Sequence, residues 1–254
     1  MTLRVASYNL RFGGIGRKAA ISASLASLQP DLVILQEATD QPTVEWIGQR
    51  LGLDHVVVGS GRSVAALSRQ PLDSAWHEIG LGRSALELKF RLRDFRIFGV
   101  HLSAGLSQRG ESRRMVEVSR LLGQIDASGG GERTMIVGDF NAIAPGDGPL
   151  MRRLPLWIRI LLRFDGGIRT EAMSSIAAGG FADAFRLLHP DDPGFTMPST
   201  EPSVRLDYIM LGSGIRPLLR SCELMNAGRE SALATDHLAV LAELGLGEGL
   251  EQTF

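Results

Sequence analysis

Short apolar runs recur along this chain, and several stop at a carboxylate, an amide or an imidazole instead of a plain turn. DLVILQE (31–37) is a continuous apolar run closed by Glu37. FRIFGVHL (95–102) carries His101 near its end, and TMIVGDFNA (134–142) closes on Asp139 and Asn141. Runs this short and this apolar read as strands buried on both faces. LRVASYNL (3–10) alternates and brings Asn9 to its end. HVVV (55–58) and VAALS (64–68) read as strands joined by the turn GSGR, while LELKFRL (86–92) and FRIFGVHL flank a hairpin at Arg93-Asp94. RLDYIML (205–211), a stretch near 218–225 and HLAVLAEL (237–244) complete the strands.

Helical spacing runs between them. Ala20, Ile21, Leu25 and Leu28 mark one helix over 17–28, and 43–51 reads as another. In ESRRMVEVSRLLGQI (111–125), Met115, Val118, Leu121, Leu122 and Ile125 share a face, and Arg109, Arg113 and Arg114 read as its solvated side. A short helix is expected near 181–188. Strands and helices interleave, and the strands are too many for one small sheet. The pattern predicts an α/β fold of two packed sheets with helices outside. No linker or repeat divides residues 1–254, so a single domain is expected, with a Pro- and Gly-rich insert or lid near 143–182.

The polar strand ends share one chemistry. In extended chain, residues two apart project to the same side, so Asp139 and Asn141 are expected to point together while Phe140 packs away from them. Each could be only a turn residue, but they have company at Asn9, Glu37, His101, Asp207 and Asp236-His237. Functional groups gather where strands end in sheet-built enzymes. Glu37, Asp236, Asn9 and Asp139 would make an oxygen-rich pocket suited to a hard cation, Mg²⁺ or Mn²⁺. Zinc would call for more His or Cys at motif spacing, and Cys222 is the single cysteine. Asp207 and His237 can form a dyad in which the carboxylate fixes the imidazole tautomer.

At this point the chain resembles the endonuclease/exonuclease/phosphatase superfamily, whose members include DNase I-like nucleases, abasic-site endonucleases, sphingomyelinases and inositol polyphosphate phosphatases. The resemblance rests on SYNLRF (7–12), LQE (35–37), ALSRQPL (66–72), GVHLS (99–103), VGDFNA (137–142), RLDYI (205–209) and TDHLAV (235–240), in the family's order. It implies a four-layered α/β sandwich, two packed mixed β-sheets flanked by helices. It implies Glu37 as principal metal ligand, helped by Asn9 and Asp236. Asp139 would orient or deprotonate the attacking water, and Asn141 would hold a phosphate oxygen. His237, paired with Asp207, would contact the scissile phosphate or move a proton. His101 would assist phosphate binding or leaving-group protonation. In DNase I-like members a Glu partners that His; here Ser84 stands where it is expected.

The expected activity is Mg²⁺-dependent phosphodiester hydrolysis. The net charge of −1 and the missing Glu tilt the substrate towards a small-molecule or lipid-headgroup diester, with a DNA or RNA endonuclease or exonuclease as the alternative. A non-catalytic binding protein is the rival class, and retention of the metal Glu and the catalytic His argues against it. Arg205 shares a strand face with Asp207 and is a candidate for a phosphate contact or a scaffold role within the site, against a surface pair. LWIRILLRF (156–164) reads first as a lid or core-packed helix, and second as a basic amphipathic helix on an anionic membrane. No obligate protein partner is implied. With no N-terminal signal pattern and one cysteine, a reducing, cytoplasmic setting is expected.

Overall fold

A computed structural model describes residues 2–90, 95–154, 156–227 and 229–246. In chain order these form β1 (Thr2–Asn9), α1 (Lys18–Leu28), β2 (Leu32–Gln36), α2 (Gln41–Leu51), β3 (His55–Val58), β4 (Val64–Ser68), β5 (Leu72–Gly80), β6 (Arg83–Phe90), β7 (Arg96–His101) and α3 (Gln108–Ala127). There follow β8 (Thr134–Asp139), α4 (Leu156–Phe164), α5 (Glu171–Ala178), β9 (Ala182–Asp183), α6 (Ala184–Leu188), β10 (Asp207–Leu211), β11 (Leu219–Leu224), α7 (Arg229–Ala234) and β12 (Val240–Gly245).

The strands make two mixed six-stranded sheets, ordered β11-β12-β1-β2-β4-β3 and β5-β6-β7-β8-β10-β9. Each has one parallel pair near its centre, β1 with β2 and β7 with β8. A parallel pair needs a crossover, and α1 and α3 supply it. The other neighbours are antiparallel.

Period-2 alternation builds the layers. Leu3, Val5, Leu32 and Ile34 of one sheet pack against Ile97, Met135, Val137 and Ile209 of the other, forming the central core. The opposite faces carry Ala6, Tyr8, Val33 and Leu35 under Ile21, Leu25, Val44 and Ile47 of α1 and α2. Phe98, Val100 and Ile136 lie under Val118, Leu121 and Ile125 of α3 and Ile176 of α5. Helices, sheet, sheet and helices give the expected four-layered α/β sandwich. Because both faces of each sheet are covered, the central strands read as unbroken apolar runs. The sheets approach closely at Gly99, where a Cβ would lie 2.8 Å from Ile34.

Several expectations need correction. The sequence pattern does not predict β5: it is the edge strand of its sheet, and most of Leu72–Gly80 is exposed or half-buried, so no apolar pattern marks it. The expected turn at Arg93-Asp94 lies outside the described residues, though β6 and β7 pair antiparallel as a hairpin requires. Residues 143–182 are not one unit. α5 is part of the outer layer, packed on α3 through Met173 and Ile176, whereas α4 turns an apolar face outwards. Arg114, expected in solvent, is 1% exposed. It binds Glu111 at 2.7 Å and donates to the Ser103 and Gly105 carbonyls.

Candidate active site

Strand direction brings the polar residues to one edge of the sandwich. β1 ends at Asn9, and Glu37 follows the end of its parallel neighbour β2. β7 and β8 end in register at His101 and Asp139. β10 runs antiparallel to β8 and begins where β8 ends, with Asp207 directly opposite Asp139. His101, Asp139 and Asp207 therefore form a row across three adjacent strands. β12 starts opposite Ser7, so Asp236 and His237 approach the same edge.

Asp139 is fastened to both sheets. Its Oδ2 accepts from Asn9 Nδ2 at 3.0 Å, and its Oδ1 from the Asn141 backbone N–H at 2.9 Å. Burial, followed by repulsion from Asp207, raises its pKa from the ordinary carboxylate value. Gly138 immediately before it is indispensable to this geometry. Its φ is +154°, and a Cβ would lie 2.0 Å from the Val100 carbonyl oxygen. Phe140 packs away from the site against Tyr208, as alternation required. Asn141 adopts φ 48° and donates its Nδ2 to the Leu102 carbonyl at 3.1 Å.

Asp207 Oδ2 accepts from His237 Nδ1 at 2.8 Å, which leaves His237 Nε2 for the cavity. Burial opposes the imidazolium, but the charge of Asp207, its hydrogen bond, and the nearby Asp139 and Asp236 outweigh it. The pKa of His237 is pushed up to about 10. Glu37 is held at φ 50°, a left-handed conformation that costs ~1 kcal/mol or more in a bulky residue. Its Oε2 accepts from the Phe12 N–H at 2.6 Å, and its Oε1 lies 3.4 Å from Asn9 Nδ2. Asp236 sits 3.4 Å from Arg11 Nε.

His101 has a partner that sequence reasoning missed. Arg83 Nη1 lies 3.2 Å from His101 Nδ1. Guanidinium only donates, so Nδ1 accepts and the proton sits on Nε2. Burial first, and then Arg83 and His237, lower the His101 pKa to about 4 against the pull of Asp139. His101 is thus a neutral donor aimed at the site, with Nε2 3.8 Å from Asp139 Oδ2. Ser84, where the resemblance places that partner, lies one residue away on the strand, and one residue reverses the face.

A cavity of about 500 Å³ opens over this edge, lined by Glu37, Arg83, His101, Asp139, Asn141, Asp236 and His237, with Phe12 and Met197 at its rim. Asn9 and Asp207 lie behind the lining and hold it. Arg205 is not part of it. Its side chain is 2% exposed and is taken up by Asp147 and Asp183 at 2.6 Å each, which corrects the expectation of a phosphate contact.

Asp139, Asp207 and His237 are close enough to offer ligand atoms within 4.8 Å of one another. As arranged they suit a cation poorly, because Asp207 and His237 are spent on each other and a protonated imidazole has no lone pair to give. Glu37 and Asp236 present carboxylate oxygens to the cavity, and Asn9 Oδ1, which accepts from the Arg11 N–H at 2.8 Å, keeps a second lone pair. That all-oxygen set fits a hard divalent ion.

The model of the Endonuclease/Exonuclease/phosphatase family matches residues 6–237, and the chain belongs to that family. It is therefore a hydrolase of the class that the resemblance implied. No curated protein is significantly similar in sequence. Among solved structures, the 3'-5' exonuclease NExo from Neisseria meningitidis shares 18% identity at a TM-score of 0.71, over 96% of this chain and 100% of that one. A Neisseria NExo structure described as a 3' phosphatase bound to product DNA hairpin shares 19% at 0.74, over 96% and 100%. An AP endonuclease from Archaeoglobus fulgidus shares 19% at 0.75, again over 96% and 100%. At such identities these likenesses establish the fold.

Proposed function

We propose that this protein is a divalent-metal-dependent hydrolase that cuts phosphodiesters, with nucleic acid as its first substrate class. One observation carries the reaction: a buried carboxylate, Asp139, held from both sheets beside the His237–Asp207 ion pair.

Asp139, with its raised affinity for a proton, accepts one from the attacking water. The Asp207 carboxylate favours the protonated form of His237, whose charge binds the phosphate oxygens and follows their growing negative charge. Asp207 keeps that imidazolium oriented. Asn141 holds a phosphate oxygen, and neutral His101 donates from Nε2 to another. Glu37 and Asp236, with Asn9, would hold Mg²⁺ or Mn²⁺. Such an ion, when bound, polarises a phosphoryl oxygen.

The structural neighbours, an exonuclease, a 3' phosphatase and an AP endonuclease, favour nucleic acid over the small diester expected from charge. A lipid-headgroup diester stays as second reading on a specific observation: α4 exposes a broad apolar face. Incubation with supercoiled plasmid and with 3'-ended oligonucleotides in Mg²⁺ separates the two. Cleavage that Asp139→Asn removes supports the nuclease. Inert DNA together with Asp139-dependent cleavage of glycerophosphodiesters supports the second reading.

A further inference from the structure

Helix α4 (Leu156–Phe164) leaves Leu156 and Trp157 each 66% exposed, Ile160 47% and Phe164 86%. At ~100° per residue the four fall within one arc of about 100°. Leu162 on another side is buried and holds the helix to the protein. Scattered exposed apolar residues are ordinary on a protein surface, but four on one short helix are a patch. Arg159 and Arg163 border this arc and Arg152 precedes the helix; among the described residues none of the three has an ion-pair partner. The helix itself holds no acidic residue.

The patch lies at the catalytic end. Ile143, just after β8, packs with Val204, Leu206 and Met197, and Met197 lines the cavity. Asp165, next after α4, accepts from the Gln108 backbone N–H that opens α3. Phe12 and Ile15, which follow β1, are 74% and 66% exposed, and Leu81, two residues before Arg83, is fully exposed. Exposed Phe12 lines the polar cavity itself, and α4 is tied through Asp165 to the start of α3 at the same end of the sandwich.

We infer that α4 seats the protein on an anionic phospholipid bilayer. Nine residues are far too short to span one, so the helix lies in the interface with its apolar arc sunk among the headgroups. The indole of Trp157 suits that depth, and Arg152, Arg159 and Arg163 meet anionic lipid. The overall charge is −1, so this attraction is local to the patch. The docking goes beyond the reaction proposed above and holds for either substrate.

Flotation of the full chain with phosphatidylcholine vesicles, with and without phosphatidylglycerol, tests it. The protein should float only with the anionic vesicles, and emission from Trp157 should shift to the blue. Trp157→Ser with Phe164→Ser should weaken binding at least ~10-fold. Arg159→Gln with Arg163→Gln should weaken it roughly fivefold per arginine and flatten the salt dependence. Hydrolysis of a soluble diester should be unchanged in both, so loss of docking is read apart from loss of activity. No flotation of the wild type, or equal flotation of the Trp157/Phe164 variant, overturns the proposal. So does a wild-type dimer that this variant dissociates, which would give the face to a second copy.

Discussion

The two buried histidines differ in charge. His237 faces Asp207 and holds its proton; His101 faces Arg83 and stays neutral. In histidine NMR, His237 should remain protonated through pH 8, and His101 should not titrate until the pH falls towards about 4. Asp207→Asn should bring the His237 value down, and Arg83→Gln should bring that of His101 up. Coincident titrations near pH 6.5 would contradict both pairings. Asp139→Asn and His237→Ala should each cut turnover at least ~100-fold, and His237→Ala should also lower the melting temperature because it leaves Asp207 buried without its partner. Sequence reasoning named Asp139, Asp207 and His237 because strand-ending polar groups are unusual enough to see. It missed Arg83 because an arginine opening a strand has no mark, and only the strand pairing brings it to His101. It also gave Arg205 to the substrate, since shared strand face does not reveal that Asp147 and Asp183 already claim its charge.

Elements, more than loops, set the site's precision. Glycine at Gly138 lets β8 pass under the Val100 carbonyl, so Gly138→Ala should destabilise the fold by roughly 2–4 kcal/mol in urea unfolding. Behind the His101 loop, α3 carries a buried polar net. Glu117 accepts from the Ser103 N–H and hydroxyl, Arg114 donates to Ser103 and Gly105 carbonyls, and Glu111 accepts from the Ala172 N–H. Removing one partner strands a buried charge, so Arg114→Ala should cost about 3–5 kcal/mol. A loss under ~1 kcal/mol would mean that the net is dispensable. The amphipathic pattern located α3 and its apolar stripe, but charged residues on the same face read as solvent-facing. β5 was illegible for a related reason, because an exposed edge strand has neither a buried face nor a continuous apolar run.

The sandwich as a whole was legible through its ordered motifs, because two sheets covered on both faces force continuous apolar strands whose ends are free for chemistry. Which strands pair was not, since apolar runs do not encode partners. The buried histidines also shape stability against pH. The His237 value is raised from 6.5 to about 10, so its contribution is complete below pH 6.5 and is lost as pH rises towards 10. The His101 value is lowered from 6.5 to about 4, so its contribution is complete above pH 6.5 and is lost as pH falls towards 4. Thermal melts across pH should therefore peak near neutrality, and the alkaline decline should shrink in Asp207→Asn.

The most direct measurement is the rate of bis(p-nitrophenyl) phosphate hydrolysis during titration with Mg²⁺ or Mn²⁺, for the wild type, Glu37→Gln and Asp139→Asn. Turnover should rise with the cation and vanish in chelator. Glu37→Gln should need far more cation, and Asp139→Asn should stay at least ~100-fold slower at saturation. Turnover that survives the chelator, or that Asp139→Asn leaves intact, would contradict a metal-assisted hydrolase with Asp139 as its base.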